Sequence, residues 1–278
     1  MKYFHKKVVI VTGAGSGIGK AICQILGQSS TTTIIAIDVD DEACLETIKG
    51  IARDKSRAFK CDVADYSDFA RVIEEVVTQF SRIDILFNNA GIGIAGEIKN
   101  LTMDDWYRVI DVNIKGVIHG SHLVYSKMLK QNSGHIVNIA CLAGLVPFPD
   151  VTAYTMSKHA IVGFSSAFSF EAAQYGIRVT MVCPSAVDTK IVDNSKYYGM
   201  SEEFVHQMWR KIPKMKPDRF AMIMLRKIAQ GKKNIVIPFS TRVLWSLYRL
   251  CPVLVTKCFA VGAIWAKKKE RKNENGCE

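Results

Sequence analysis

The stretch "KVVIVTGAGSGIGK", residues 7–20, decides the fold. Its apolar first half predicts a buried β-strand ending at Thr12, and its second half predicts a glycine-rich turn that leads into a helix. Gly13 and Gly15 permit a tight turn because they carry no Cβ atom, and Gly19 lets the helix pack close to the strand. The free N–H groups at the start of that helix favour an anion. The stretch therefore predicts a phosphate-binding βα unit.

Asp38 extends this interpretation to a dinucleotide. It ends the second predicted strand, nineteen residues after Gly19, where a carboxylate can accept hydrogen bonds from both ribose hydroxyls of an adenosine. The same carboxylate would repel a ribose 2′-phosphate. Val39 follows it and Ser16 stands in the glycine turn, so no arginine is placed locally to bind that phosphate. The sequence therefore predicts NAD as the cofactor in preference to NADP.

The rest of the chain repeats the strand–helix pattern of its first unit. Short β-rich runs alternate with segments of helical periodicity, which is typical of a Rossmann-type α/β fold with a doubly wound parallel sheet. We predict one such domain over residues 1–240 and an amphipathic basic tail over residues 241–278. The predicted strands are Lys7–Thr12, Thr33–Asp38, Arg57–Asp62, Ile83–Asn88, His135–Ala140, Arg178–Cys183 and Asn234–Pro238.

The net charge of +11 is concentrated at the C-terminal end of the chain. Residues 211–278 hold 16 Lys and Arg against 4 Asp and Glu, a net charge of +12, which leaves −1 for residues 1–210. An enzyme of nucleic acids would place positive charge around its cleft, so nucleic acid is not an expected partner. We expect the tail to contact an anionic membrane surface.

The cysteines and the N-terminal segment indicate the cellular compartment of the protein. The eight cysteines are scattered without paired or zinc-ligand spacing, so neither a disulfide framework nor a metal site is predicted. The N-terminal apolar run is only four residues long, Val8–Val11, which is too short for a signal peptide. We expect a cytoplasmic protein that associates peripherally with a membrane surface.

Two further motifs accompany the glycine turn, "NNAG" at Asn88–Gly91 and "YTMSK" at Tyr154–Lys158. Together the three motifs resemble the short-chain dehydrogenase/reductase family over about residues 6–240. The resemblance implies an oxidoreductase acting on a small-molecule substrate and assembled as a homodimer or homotetramer. The cofactor-binding residues that it implies are Gly13, Gly15, Ser16, Gly17, Ile18, Gly19, Asp38, Asp62, Val63, Asn89, Ala90, Gly91, Tyr154, Lys158, Pro184, Val187 and Thr189.

The resemblance also implies individual roles and shows two departures. It implies that Asp62 contacts adenine, that Asn113 holds a water next to the lysine, and that Thr189 touches the nicotinamide amide. Cys141 stands where the family usually has serine. Ser185 replaces the glycine that usually follows a proline in this family.

The chemistry of Tyr154 and Lys158 can also be argued from the residues themselves. Moving a hydride from an alcohol carbon requires a group that takes the hydroxyl proton, and a tyrosine with an ordinary pKa of about 10 is a poor base. Lys158 lies four residues after Tyr154, so on a helix the two share a face, where an ammonium stabilises a phenolate. We predict Tyr154 as the acid/base, with Lys158, Asn113 and Cys141 completing the catalytic set. Four histidines stand apart from any cysteine or carboxylate cluster, and we predict no catalytic role for them: His119, His122, His135 and His159.

Cys141 leaves three interpretations open. A thiol is a weaker hydrogen-bond donor than a hydroxyl, so Cys141 could position the reacting oxygen weakly in a slow enzyme. It could instead be a redox-sensing thiolate, although no basic residue flanks it in sequence. The third interpretation is a non-catalytic NAD-binding sensor or scaffold. Retention of Tyr154, Lys158 and Asn113 favours the enzyme, because a binding module needs no proton route.

Two segments bear on the substrate. The loop Leu142–Val151 is apolar and lies between catalytic positions, and Ser195–Trp209 carries aromatic residues where such a fold places its lid. These aromatics could equally pack the lid onto the body. An apolar pocket favours a lipophilic alcohol or ketone, and the sequence does not separate steroid, retinoid, long-chain alcohol and oxoacyl substrates.

The tail follows an amphipathic pattern. From Arg242 to Lys257 the basic and hydroxyl side chains share one helical stripe, and most apolar side chains lie outside it. Pro252 is expected to kink the helix. No uncharged apolar stretch approaches the ~20 residues that a spanning helix needs. We expect an interfacial helix followed by the basic run Lys267–Lys272; the alternative is a helix packed on its own body or on a partner subunit.

Overall fold

Seven parallel strands form the main sheet in a computed structural model, which describes residues 2–29, 31–51 and 56–275 and side chains as far as Trp265. The strand order is β3-β2-β1-β4-β6-β7-β9, so the chain leaves the middle of the sheet in both directions, as the doubly wound prediction requires. All seven predicted strands are confirmed, with ends that differ by at most two residues. They are β1 Val8–Thr12, β2 Thr33–Asp38, β3 Arg57–Lys60, β4 Ile85–Asn88, β6 Gly134–Ile139, β7 Ile177–Pro184 and β9 Asn234–Ile237.

Burial on both faces explains why the strands are almost wholly apolar. In β1, Val9 and Val11 belong to one buried cluster and Val8 and Ile10 to another on the opposite face, because successive side chains of a strand alternate. Every residue of β1 is buried. The strand therefore ends in the interior, and its carboxyl end opens directly into the glycine turn.

A second sheet of two strands was not predicted. β5 Ile94–Gly96 pairs in parallel with β8 Lys196–Tyr198, although the two segments are about a hundred residues apart in the chain. Each strand has only three residues, which is too short for a periodic signal. This small sheet joins the segment that ends at Tyr198 to the body of the protein.

Helices cover both faces of the main sheet. Residues 103–131 form one continuous helix that is interrupted by a single wide turn, Asp111–Lys115. The helices are α1 Gly17–Gly27, α2 Asp41–Lys49, α3 Tyr66–Phe80, α4 Met103–Ile110, α5 Gly116–Gln131, α6 Thr152–Ala173, α7 Glu202–Lys211, α8 Pro217–Ala229, α9 Phe239–Leu250 and α10 Pro252–Asn275.

The tail forms α9 and α10, which meet at the predicted kink before Pro252. Among the residues that the structure describes, no single helix is long and apolar enough to cross a membrane; the pair Phe239–Leu250 and Pro252–Trp265 meets the length and composition test only together, and it is bent by 115°. One face of the tail packs on the body, where Val255 is buried and Phe259 stacks on Phe148 with ring centroids 5.0 Å apart. The side chains of the predicted basic run Lys267–Lys272 lie outside the described residues.

Candidate active site

The glycine turn after β1 is surrounded by contacts that leave no room for a side chain. Gly13 has a φ of 65°, and a Cβ atom built on it would lie 2.9 Å from the Cα atom of Ala90. A Cβ atom on Gly19 would overlap the Gly13 carbonyl oxygen. Ser16 precedes α1 and makes no side-chain capping hydrogen bond, so its hydroxyl does not occupy the first-turn N–H groups. The turn thus fits an anionic group at the start of α1.

Asp38 lies across this turn at the carboxyl end of β2. Its Oδ2 atom accepts a hydrogen bond from the Gly15 backbone N–H at 2.7 Å, and its Oδ1 atom accepts one from the Asp40 N–H at 3.1 Å. A carboxylate oxygen has room for a second donor. Asp38 is therefore fixed beside the glycine turn, where the sequence predicts a ribose-binding carboxylate.

Thr189 and Gly17 meet although they are far apart in the chain. Gly17 has a φ of 51°, and a Cβ atom on it would lie 2.9 Å from the Thr189 Cγ2 atom. The loop after β7 thus reaches over the glycine turn. Ile18 points the other way and packs against the buried cluster beneath α1.

The "NNAG" motif links the glycine turn to Lys158. The Thr12 hydroxyl oxygen accepts hydrogen bonds from the backbone N–H groups of Asn89 and Ala90, each at 3.0 Å. The Asn89 amide donates to the Thr12 carbonyl at 2.9 Å, so this side chain supports the turn. A Cβ atom on Gly91 would lie 3.3 Å from the Lys158 Nζ atom. The motif therefore contacts the glycine turn at one end and Lys158 at the other.

The other predicted cofactor residues lie at the same edge of the sheet. Asp62 and Val63 follow β3, where the Asp62 carboxylate accepts the N–H two residues on and Val63 is buried. Pro184 ends β7, and Val187 is buried in the loop that follows. Ser185 donates its backbone N–H to β9 at 2.9 Å and is not among the residues with positive φ. Its backbone therefore does not require the glycine that the family pattern has.

Asn113 lies in the wide helical turn Asp111–Lys115. It is fully buried; its side-chain oxygen accepts from the Ile92 N–H at 2.8 Å, and its amide donates to the Ser157 hydroxyl at 3.0 Å. The Ser157 hydroxyl in turn donates to the Tyr154 carbonyl at 2.7 Å. Single wide turns inside helices are frequent at functional sites. Asn113 therefore fixes the start of α6 relative to the loop after β4.

Tyr154 and Lys158 lie on one face of α6, as their spacing predicts. The Lys158 Nζ atom is 5.5 Å from the centroid of the Tyr154 ring. Lys158 is buried, and its Nζ atom donates a hydrogen bond to the Ile139 carbonyl at 3.2 Å. The ammonium group is thereby held between the end of β6 and the tyrosine ring.

The electrostatics of this pair differ from the expectation. Burial raises the pKa of Tyr154 well above 10, and the neighbouring Cys141 side chain raises it further. Burial also lowers the pKa of Lys158. The prediction that Lys158 lowers the pKa of Tyr154 does not describe this structure, because loss of water around the phenol dominates and the ammonium binds a carbonyl. At neutral pH the Tyr154 hydroxyl is protonated and able to donate.

Cys141 stands two residues after the end of β6, half-buried, and its side chain lies close enough to that of Tyr154 to interact electrostatically with it. A second thiol, that of Cys183 on the adjacent strand β7, lies close enough to interact electrostatically with Cys141 and Lys158. Burial raises the pKa of Cys183 to about 12. Cys183 was not predicted as a site residue, although its position just before Pro184 at a strand end was a usable signal.

The lid segment is fastened by its tyrosines. The Tyr198 hydroxyl donates to the Asp105 carboxylate at 2.9 Å, and the Tyr197 hydroxyl donates to the Val192 carbonyl at 2.6 Å. The Gly96 N–H in β5 donates to the Asp150 carbonyl at 2.6 Å, which joins the small sheet to the loop before α6. These contacts support the interpretation that the lid aromatics pack on the body.

The histidines lie outside this arrangement. His135 is buried between the Tyr3 hydroxyl at 3.0 Å and the Thr180 hydroxyl at 2.8 Å, and burial lowers its pKa to about 3. It is therefore a neutral core residue. Within residues 2–29, 31–51 and 56–275, no group of three or more His, Cys, Asp or Glu side chains could hold a metal ion.

Comparisons with known proteins agree with this geometry. The family model described as short chain dehydrogenase matches residues 7–197. Cyclohexanol dehydrogenase of Acinetobacter sp. (strain SE19) is 34% identical over 68% of this chain and 76% of its own length. 3beta-Hydroxysteroid dehydrogenase of Mediterraneibacter gnavus is 32% identical over 70% of this chain and 71% of its own length.

A solved structure extends the similarity to most of the chain. The short chain dehydrogenase/reductase of Burkholderia phymatum, solved in complex with NAD, superposes with a TM-score of 0.84 at 26% identity. The match covers 91% of this chain and 96% of the other. The chain therefore belongs to the short-chain dehydrogenase family.

Proposed function

We propose that the protein is an NAD(H)-dependent oxidoreductase that interconverts a lipophilic secondary alcohol and its ketone. The observation that carries the proposal is the position of the Lys158 Nζ atom, 5.5 Å from the centroid of the Tyr154 ring, with Cys141 close enough to interact with the same tyrosine. This group lies beside a glycine turn that admits no side chain. A proton donor and an anion cradle at one edge of a parallel sheet suit hydride chemistry.

The residues of the turn fit a dinucleotide. The crowded glycines and the free start of α1 would hold the pyrophosphate, and Asp38 would hold the adenosine ribose. Asp38 is also the basis for a preference for NAD over NADP, since it would face a 2′-phosphate with like charge. The cofactor, when bound, supplies or accepts the hydride.

The proton route uses the chain's own side chains. In the direction of reduction, Tyr154 donates its hydroxyl proton to the oxygen of the carbonyl carbon that receives the hydride. Its raised pKa keeps that proton available at neutral pH. Cys141 hydrogen-bonds the same oxygen, more weakly than a serine would, and the hypothesis of a slow enzyme rests on this weaker donor.

The proposed substrate class rests on the surroundings of Cys141. Leu142, Leu145 and Val146 are buried beside it, and Phe148 packs against the same cluster. These side chains offer no charge to a substrate, which favours a lipophilic one. The names of two relatives, a cyclohexanol dehydrogenase and a 3beta-hydroxysteroid dehydrogenase, point the same way.

Assembly and location complete the proposal. Family membership supports a homodimer or homotetramer in the cytoplasm. The concentration of positive charge in residues 211–278 supports peripheral association with an anionic membrane surface.

A turnover screen tests the proposal. Purified protein is incubated with NADH and a panel of cyclic ketones, or with NAD and the matching secondary alcohols, and absorbance of the reduced cofactor is followed. We expect turnover with at least one lipophilic member and none with the Tyr154→Phe variant. NAD binding without turnover on any member would instead favour the sensor or scaffold.

A further inference from the structure

The tail carries an exposed apolar surface on the side that faces away from the body. Nine of the 20 exposed large hydrophobic residues among those described fall within residues 239–265. Leu250 is 79% exposed, Val253 64% and Leu254 63%. We call this surface the outer ridge. Its members are Phe239, Val243, Leu247, Leu250, Val253, Leu254, Val261, Ile264 and Trp265.

The outer ridge is distinct from the apolar face that packs inward. Trp245, Tyr248 and Phe259 contact the buried cluster that contains Val255. The inner side chains therefore already pack against the body. α9 cannot rotate to bury the ridge without exposing these inner side chains to solvent. Exposed apolar patches of this kind mark surfaces for a protein or membrane partner.

Charge selects between these partners. No Asp or Glu occurs from residue 219 to residue 269, a stretch that holds 11 Lys and Arg. Arg242, Arg249 and Lys257 are exposed on the same two helices as the ridge. A second copy of the chain would bring the same positive charges to a two-fold interface, which opposes self-association. An anionic lipid surface complements both the charge and the apolar side chains.

The geometry fits a helix pair that lies in the interface. α9 has 12 residues and is followed by a bend of 115°, so neither arm before Trp265 spans a bilayer. A bent pair can place both outer faces at the level of the lipid headgroups. We propose that the outer ridge docks the protein on an anionic bilayer.

The inner face gives this docking a consequence for the substrate. Phe259 of the tail stacks on Phe148 of the loop that follows Cys141, and Cys141 packs against the same apolar cluster. The tail thus lies between the proposed bilayer, which its outer ridge faces, and the apolar cluster that contains Cys141, which its inner face contacts. Docking then lets a membrane-dissolved alcohol or ketone enter beside Phe148 without crossing water; this part rests on the proposed function.

Vesicle binding tests the docking without reference to activity. The full chain is sedimented with vesicles of equimolar phosphatidylglycerol and phosphatidylcholine, and with vesicles of phosphatidylcholine alone. The Leu250→Glu, Leu254→Glu double variant removes the ridge, and Ile98→Glu, at a residue 61% exposed on the body, is the matched control. We expect the wild type and the control to bind anionic vesicles, and the double variant to bind at least about tenfold more weakly, since burial of apolar side chains and nearby charge act together.

Two outcomes overturn the docking proposal. One is equal binding of the double variant and the wild type to anionic vesicles. The other is absence of vesicle binding combined with concentration-dependent self-association that the double variant abolishes, which assigns the ridge to a second copy.

A kinetic arm tests the substrate route. The wild type and the double variant are compared on a ketone dissolved in vesicles and on water-soluble cyclohexanone. We expect the double variant to lose activity on the first and keep it on the second. Vesicle binding with no turnover on either ketone would refute the proposed function and leave docking intact, whereas equal loss on both ketones would refute the route.

Discussion

The two ends of the candidate site differ in whether backbone atoms or side chains determine them. At the glycine turn, backbone atoms fill the space: a Cβ atom on Gly19 would overlap the Gly13 carbonyl oxygen, and one on Gly13 would press on Ala90. At the proposed reacting end, the side chains of Cys141 and Tyr154 lie close together, and burial raises the pKa of Tyr154 so that its hydroxyl stays protonated. The first end is fixed by shape and accepts no added atom. The second can be changed atom by atom, so its variants should alter rates and leave the fold intact.

Tyr154→Phe should give the largest effect on rate. The variant removes one hydroxyl and keeps the ring, so we expect a loss of about 10²–10⁴-fold in kcat, the range for a missing general acid. NADH affinity should stay within about twofold of the wild type, because the glycine turn is untouched. Stopped-flow turnover and fluorescence titration measure the two quantities. A comparable loss of NADH affinity in Tyr154→Phe would show that the tyrosine also contributes to cofactor binding and would contradict the separation of the two ends.

Gly19→Ala, at the glycine turn, should weaken cofactor binding, whereas Tyr154→Phe should lower the rate. The added Cβ atom would meet the Gly13 carbonyl and lie 2.7 Å from the Asn89 amide nitrogen. Overpacking of this kind costs about 1–3 kcal/mol, and we expect about a hundredfold weaker NADH binding together with a lower melting temperature. Gly163→Ala is the control, since a Cβ atom there meets nothing within 4 Å. Normal NADH affinity in Gly19→Ala would show that the turn is not the cradle.

Asp38→Ala should change selectivity more than stability. The wild type is expected to bind NADH at least about tenfold more tightly than NADPH, because the carboxylate would repel a 2′-phosphate. Removing it should bring the two affinities within a few-fold of each other. Parallel titrations with both cofactors provide the measurement, and equal affinities in the wild type would contradict the assignment.

The pH dependence of reduction should be the smallest effect. Because burial and Cys141 raise the pKa of Tyr154 above 10, the phenol stays protonated through neutral pH. The rate of ketone reduction should therefore be nearly flat from about pH 6 to about pH 9 and fall only as the pH rises through that raised pKa. Alcohol oxidation needs the deprotonated form and should rise over the same range. A fall in the reductive rate centred near neutral pH would show that Tyr154 ionises too easily for this account.

Local sequence was sufficient for the main sheet and for the glycine turn. The apolar strands were predictable because burial on both faces removes polar residues, and the turn because Gly13 and Gly19 have steric reasons to be glycine. The pair β5 and β8 was not predictable. Each strand depends on a partner about a hundred residues away and has only three residues of its own.

The candidate site shows the same limit in its electrostatics. The four-residue spacing placed Lys158 beside Tyr154 but could not show that its Nζ atom binds the Ile139 carbonyl. Cys183 reaches Cys141 only because β6 and β7 are neighbours in the sheet. In the tail, the amphipathic pattern separated the charged residues from most apolar ones. Only tertiary packing shows which apolar side chains face inward, such as Phe259, and which are exposed, such as Leu250.

The central claim is that the Cys141 thiol works in place of a hydroxyl. Losing a donor to a developing oxyanion costs about 2.7–4 kcal/mol, and a thiol supplies only part of that stabilisation. The most direct measurement is kcat/KM for ketone reduction by the wild type, Cys141→Ser and Cys141→Ala. The account predicts that serine raises kcat/KM by about tenfold and that alanine lowers it by about tenfold, with NADH affinity unchanged in both. An unchanged or lower kcat/KM in the serine variant would contradict it.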